Sequence, residues 1–155
     1  MPTSIEDQIL GWLSRRRLTA SEIRQRLAKE GVPATEAEAL LARLQGLAYV
    51  NDADLAEAVA RDAIRRLKGP GYIWARLRQR GVSEAVISEV MKNLDGQVDW
   101  LAIAERLRRR YDRGNASSRA RWLRHLAREG FPLAVIHRLA EDVGQRSDED
   151  GVKDC

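Results

Sequence analysis

Three stretches of this chain echo one another: LAKEGV at Leu27 to Val32, LRQRGV at Leu77 to Val82, and LAREGF at Leu126 to Phe131. Aligned on Gly31, Gly81 and Gly130 they stand 50 and 49 residues apart, and a fixed period of that length marks stacked helical units. Each glycine follows an apolar pair spaced by one helical turn: Ile23 with Leu27, Ile73 with Leu77, Trp122 with Leu126. Directly after it comes Val32, Val82 or Phe131, and then Pro33, Ser83 or Pro132, residues that open or cap a helix. The pattern predicts a helix stopped by a left-handed glycine, a tight turn, and a second helix. That second helix keeps its apolar positions in all three copies: Leu40, Leu41 and Leu44; Val90, Met91 and Leu94; Leu139, Ala140 and Val143.

A further amphipathic segment precedes each pair. Ser4 to Arg16 carries Ile5, Ile9, Trp12 and Leu13, and Asp52 to Leu67, with Asn51 or Asp52 as its cap, carries Leu55, Ala56, Val59, Ala60 and Ala63. Asp99 to Tyr111 carries Trp100, Ile103, Ala104 and Leu107. β-Branched residues never alternate, so the expected fold is all-α: three tandem three-helix units, nine helices, stacked into an elongated, curved array. The units are bounded at residues 1–47, 48–96 and 97–143, and residues 144–155, GQRSDEDGVKDC, read as a disordered tail. A unit of this size buries little by itself, so neighbours are expected to share apolar surface.

The net charge of +4 is unevenly spread. Residues 1–47 hold 7 Lys/Arg against 6 Asp/Glu, residues 48–96 hold 8 against 7, and residues 97–143 hold 10 against 6. Between Arg106 and Arg128 nine arginines face one acid, Asp112. Arg106, Arg109, Arg110 and Arg113 fall at the spacing of one helical stripe, and Arg121 and Arg124 follow on the next helix. A solvated face and a contact with phosphate or an acidic protein both account for such a cluster. Arg61, Arg65 and Lys68 form a second stripe, for which a solvated face is the leading explanation.

Chemistry is hard to find. His125 and His137 are the only histidines, Cys155 is the only cysteine, and no metal-ligand spacing, P-loop or nucleophile elbow occurs. No catalysis, metal or cofactor is expected. The helix, turn, helix element resembles a DNA-reading motif in outline, but the second helices are acidic or neutral and lack a basic recognition face. Of the four tryptophans, Trp12, Trp100 and Trp122 sit on apolar stripes as core anchors, while Trp74 is expected to be partly exposed. A polar N-terminus, the lack of a long apolar run and a single terminal cysteine give the expectation of a cytoplasmic protein without a membrane segment, and a monomer is expected.

At this point the residues resemble a known family, the RecX regulators of the RecA recombinase. The likeness runs from about Ile5 to Val143. YVNDADLA (Tyr49 to Ala56), GP before Ile73, Leu77 and Gly81, VDW (Val98 to Trp100) before a basic helix ending at Tyr111, and HLAREGF (His125 to Phe131) occur in the family's order. Ala48 stands where the family usually has glycine, Leu55 where an aromatic is common, and Arg76 where the residue is often acidic. The resemblance implies a protein that binds the RecA filament on DNA and restrains its extension, ATP hydrolysis and strand exchange. A DNA-binding protein acting through the arginine-rich third unit, on single- or double-stranded DNA, is the alternative that the residues themselves support.

Overall fold

The computed structural model describes residues 3–150, apart from the side chains of Val143 and residues 145–150. Nine helices and no strand occur among the described residues: α1 (Ile5–Arg15), α2 (Ala20–Lys29), α3 (Ala34–Gly46), α4 (Asp52–Arg65), α5 (Pro70–Gln79), α6 (Glu84–Asp95), α7 (Trp100–Tyr111), α8 (Ala116–Arg128) and α9 (Leu133–Asp150). In chain order they form the three expected triplets. α9 runs past Gly144 to Asp150, so the first part of the stretch read as a disordered tail is helical; residues 151–155 lie outside the described part.

Local chemistry sets most of the boundaries. Ser4 caps α1 by accepting the Asp7 N–H, and Thr19 and Glu22 form a reciprocal capping box on α2. Asp99 and Asn115 cap α7 and α8 in the same way. At α4 the cap is Asn51, which accepts from the Asp54 N–H, while the Asp52 carboxylate accepts the backbone N–H of Ala20. Gly31, Gly81 and Gly130 adopt φ values of 78°, 80° and 78°. The residue after each donates to the carbonyl five back (Val32 to Leu27, Val82 to Leu77, Phe131 to Leu126), so all three turns are Schellman motifs. Two more helices end likewise without glycine: Ala48 after α3 and Leu67 after α4 hold φ of 60° and 59°. At both positions the Cβ is strained.

By packing, the chain divides into two compact units, Met1–Arg61 with Ala75–Asn93 and Asp62–Trp74 with Leu94–Cys155, so the division falls inside α4, α5 and the end of α6. In the first, Ile9, Leu18, Ile23, Leu27, Leu41, Leu44 and Val50 form one buried cluster. Here the α5 turn seats on the start of α2. The Thr19 hydroxyl donates to the Arg80 carbonyl at 2.7 Å, the Arg80 guanidinium pairs with Glu22 at 2.9 Å, and it also donates to the Arg17 carbonyl.

In the second unit the α8 turn seats on the start of α5. The Gly69 and Gly71 N–H groups donate to the carbonyls of Glu129 and Gly130 at 2.9 and 2.8 Å. A Cβ on Gly130 would stand 2.4 Å from the Tyr72 nitrogen, and one on Gly69 would stand 2.6 Å from the Gly130 carbonyl carbon. Backbone meets backbone, so only glycine fits. Trp122 and Leu126 of α8 are fully buried, and Leu107 of α7 and Leu139 of α9, helices that pack against α8, are buried too. The third helix of this triplet departs from the expected pattern: Ala140 is exposed, Leu133 is 68 % exposed, and Val143 lies outside the described side chains.

These two glycine environments predict different costs for one substitution. Gly31→Ala meets no neighbour within 4 Å and suffers only the left-handed strain, about 1–2 kcal/mol. Gly130→Ala meets the same strain plus the backbone of Gly71 and Tyr72, which adds about 2 kcal/mol or more. Urea unfolding of the two variants checks the difference; equal losses contradict the seating.

Candidate nucleic-acid and partner interface

α7 and α8 pair through a buried seam. Ile103, Ala104 and Leu107 line one side, Trp122 and Leu126 the other, and the Trp122 indole N–H donates to the Ala104 carbonyl at 3.1 Å. Tyr111 stacks on His125 with ring centroids 4.4 Å apart. With these residues inward, helical spacing turns Arg106, Arg109 and Arg110 of α7 and Arg121, Arg124 and Arg128 of α8 outward, and all six are exposed.

Arg113 is exposed too, but it does not lie on the stripe. α7 stops at Tyr111, with Asp112 as its extended C-cap, so the fourth arginine of the expected series sits in the α7–α8 connection. Asp112 is the reason. Its side chain, 6 % exposed, accepts from the Arg108 guanidinium at 2.9 Å and from the Gly114 N–H at 2.8 Å. Arg108 also reaches Glu105 and lies over the Trp122 ring at 5.5 Å. Arg119 donates to the carbonyls of Gly114 and Asn115. Of the nine arginines in this tract, then, Arg108 and Arg119 build the corner. The other seven are exposed, and among the described residues they form no ion pair.

Burial alone would raise the Asp112 carboxyl's pKa, but the Gly114 N–H and the Arg108 and Arg119 guanidinium groups outweigh it and hold it below the ordinary aspartate value. Glu22 follows the same logic: burial is opposed by the Thr19 N–H, Arg80 and Arg16, and its pKa is lowered. His125 is pushed down chiefly by burial, with Glu129 opposing and Arg128 and Lys68 reinforcing.

On α4, Arg61 and Arg65 are exposed, and Arg65 reaches Asp62 at 3.4 Å, an ordinary helix pair. Lys68 is instead committed inside the fold: it pairs with Glu129 at 2.7 Å, with its side chain 22 % exposed, and lies over the Tyr72 ring. Spacing along one helix suggested a shared stripe, but the helix ends at Arg65, which frees Lys68 to turn toward the seated glycine turn. Arg80, which sequence reasoning did not single out, plays the matching part at the other joint. Among the described residues no group of three or more His, Cys, Asp or Glu could hold a metal ion, and no helix is long and apolar enough to cross a membrane.

These features define an all-helical repeat protein whose third triplet carries a cationic face that forms no ion pair among the described residues. The chain matches the first three-helix domain of RecX over residues 7–44 and the second over residues 51–91. It is 35 % identical over 152 residues to the regulatory protein RecX of Halorhodospira halophila, covering 96 % of this chain and 92 % of that one. To a regulatory protein RecX of Thermus thermophilus it is 36 % identical over 136 residues, covering 86 % and 89 %. A crystal structure of regulatory protein RecX superposes with a TM-score of 0.73 at 27 % identity, covering 88 % of this chain and 71 % of that one. The RecX structure from Lactobacillus salivarius shares the fold, with a TM-score of 0.74 at 21 % identity over 90 % and 94 % of the two chains. The chain belongs to the RecX family.

The corner predicts a pH effect with a definite sign. A depressed Asp112 pKa contributes stability that is present above the unfolded-state value and is lost as pH falls through the folded value. Asp112→Asn is therefore expected to cost about 1.5–3 kcal/mol near neutral pH. The stability curves of parent and variant should converge in acid. A gap that stays constant as pH falls through the acid range in which the parent loses stability contradicts this role.

Proposed function

We propose that this chain regulates a RecA recombinase by binding its DNA-bound filament, and that it restrains filament extension, ATP hydrolysis and strand exchange. One observation carries the reading within a family of regulatory proteins: seven exposed arginines on and beside α7 and α8 have no acidic partner among the described residues. Two further arginines are spent on holding the corner rigid, so the cationic face is presented by fixed elements. Such a face attracts acidic protein surface or DNA phosphate. Arg61 and Arg65 of α4 are secondary contacts.

The alternative, direct DNA binding through the same arginines, is supported by the same lack of acidic partners and is separated by salt. Phosphate contacts release counterions, so binding to DNA alone falls steeply from low to moderate salt, while a recombinase-dependent effect needs RecA present. Replacing Arg106, Arg109, Arg110 and Arg113 by alanine is expected to weaken inhibition of RecA's ATPase on single-stranded DNA by about tenfold or more. Helicity by circular dichroism should be retained, because all four side chains are exposed. Full inhibition by that variant removes this face from the mechanism.

A further inference from the structure

The three glycine turns share one geometry, yet only two of them are occupied. Arg80–Gly81 receives the first turn of α2, through the Thr19 hydroxyl on the Arg80 carbonyl at 2.7 Å, and a Cβ on Gly81 would meet the Ser21 side chain at 2.6 Å. Glu129–Gly130 receives the first turn of α5, through the N–H groups of Gly69 and Gly71, and the Glu129 carboxylate pairs with Lys68 just before the cap. In both joints, helix carbonyls at a negative end meet donors at the positive end of another helix. The first copy, Glu30–Gly31, has the same Schellman bonds, but both residues are exposed, and nothing lies within 4 Å of where a Cβ on Gly31 would stand. Val32 is only half-buried there, whereas Val82 and Phe131 are each 5 % exposed.

The three helix starts that correspond to the two filled joints cannot fill this turn from a second copy of the chain. Thr19 and Gly69 stand twelve residues before Gly31 and Gly81 and are already covered; the residue at that place before Gly130 is Ser118. α8 has 13 residues where α2 and α5 each have 10, and its additional amino-terminal turn closes over Ser118. Ser118 accepts from the Arg113 N–H at 2.9 Å, and its own N–H donates to the Asn115 side chain at 2.8 Å, leaving it 5 % exposed. The third repeat is thus capped by its own chain, in the manner of a terminal repeat, while the first is open.

We propose that the Glu30–Gly31 turn is a docking site for the amino-terminal turn of a helix in the RecA filament. Helix N–H groups or a cap hydroxyl would donate to the Glu30 and Gly31 carbonyls, and a Lys or Arg beside the cap would pair with the Glu30 carboxylate, as Lys68 does with Glu129. The choice of partner rests on the filament reading above; the chemistry of the site rests on the two filled joints. Gly31→Asn and Glu30→Lys in the full chain test it. Asparagine tolerates the left-handed turn but adds a Cβ in the docking plane, and the charge reversal acts on an exposed side chain. Both variants should melt within about 4 °C of the parent and need about tenfold more protein for half-inhibition of RecA ATPase. Their binding to single-stranded DNA without RecA should be unchanged. If the parent inhibits and both variants match it, the docking site is overturned and the filament reading stands. If the parent itself leaves RecA unaffected, both proposals fall.

Discussion

The seating of a glycine turn on the amino end of the preceding repeat's second helix is the contact on which the rest of this structure depends. It satisfies backbone groups that helix ends leave over, at joints where Thr19 and Gly69 are buried and an unpaired carbonyl or N–H would be costly. In one joint a threonine hydroxyl supplies the donor; in the other, two glycine N–H groups do. The ion pairs flanking them, Arg80 with Glu22 and Lys68 with Glu129, are both less than one-quarter exposed and fix the register of a contact that the apolar seams alone would leave free to slide.

Charges committed within the fold leave the cationic face outside it. Lys68 is drawn inward by Glu129, and Arg108 and Arg119 are drawn inward by Asp112 and the Gly114–Asn115 carbonyls. What remains outward is a set of arginines on elements whose positions are fixed by Trp122 and the α7–α8 corner. Among the described residues these exposed guanidinium side chains have no ion-pair partner, while their backbone belongs to packed elements.

Much of the fold was legible in the sequence because glycine, proline and cap residues act locally. The repeated apolar pair before each glycine and the cap at Asn51 mark helix ends with little help from tertiary structure. Residues whose fate is decided across the fold were less legible. Lys68 and Arg113 follow the helical stripe by spacing, but Leu67 and Asp112 end the helices first, and nothing local announces a left-handed leucine. Arg80 and Glu129 carry no local mark of their roles, because their partners lie 58 and 61 residues away in the sequence. The apolar character of Ala140 promised burial that α9 does not provide.

The most direct test of the turn-on-helix joint is native-state hydrogen exchange at the Gly69 and Gly71 amides. Both lie at a helix start, where an N–H ordinarily has only solvent as partner, and here both donate to carbonyls of the α8 turn. The account predicts that they exchange as slowly as interior amides of α5. Exchange at the rate of an unstructured glycine would contradict it.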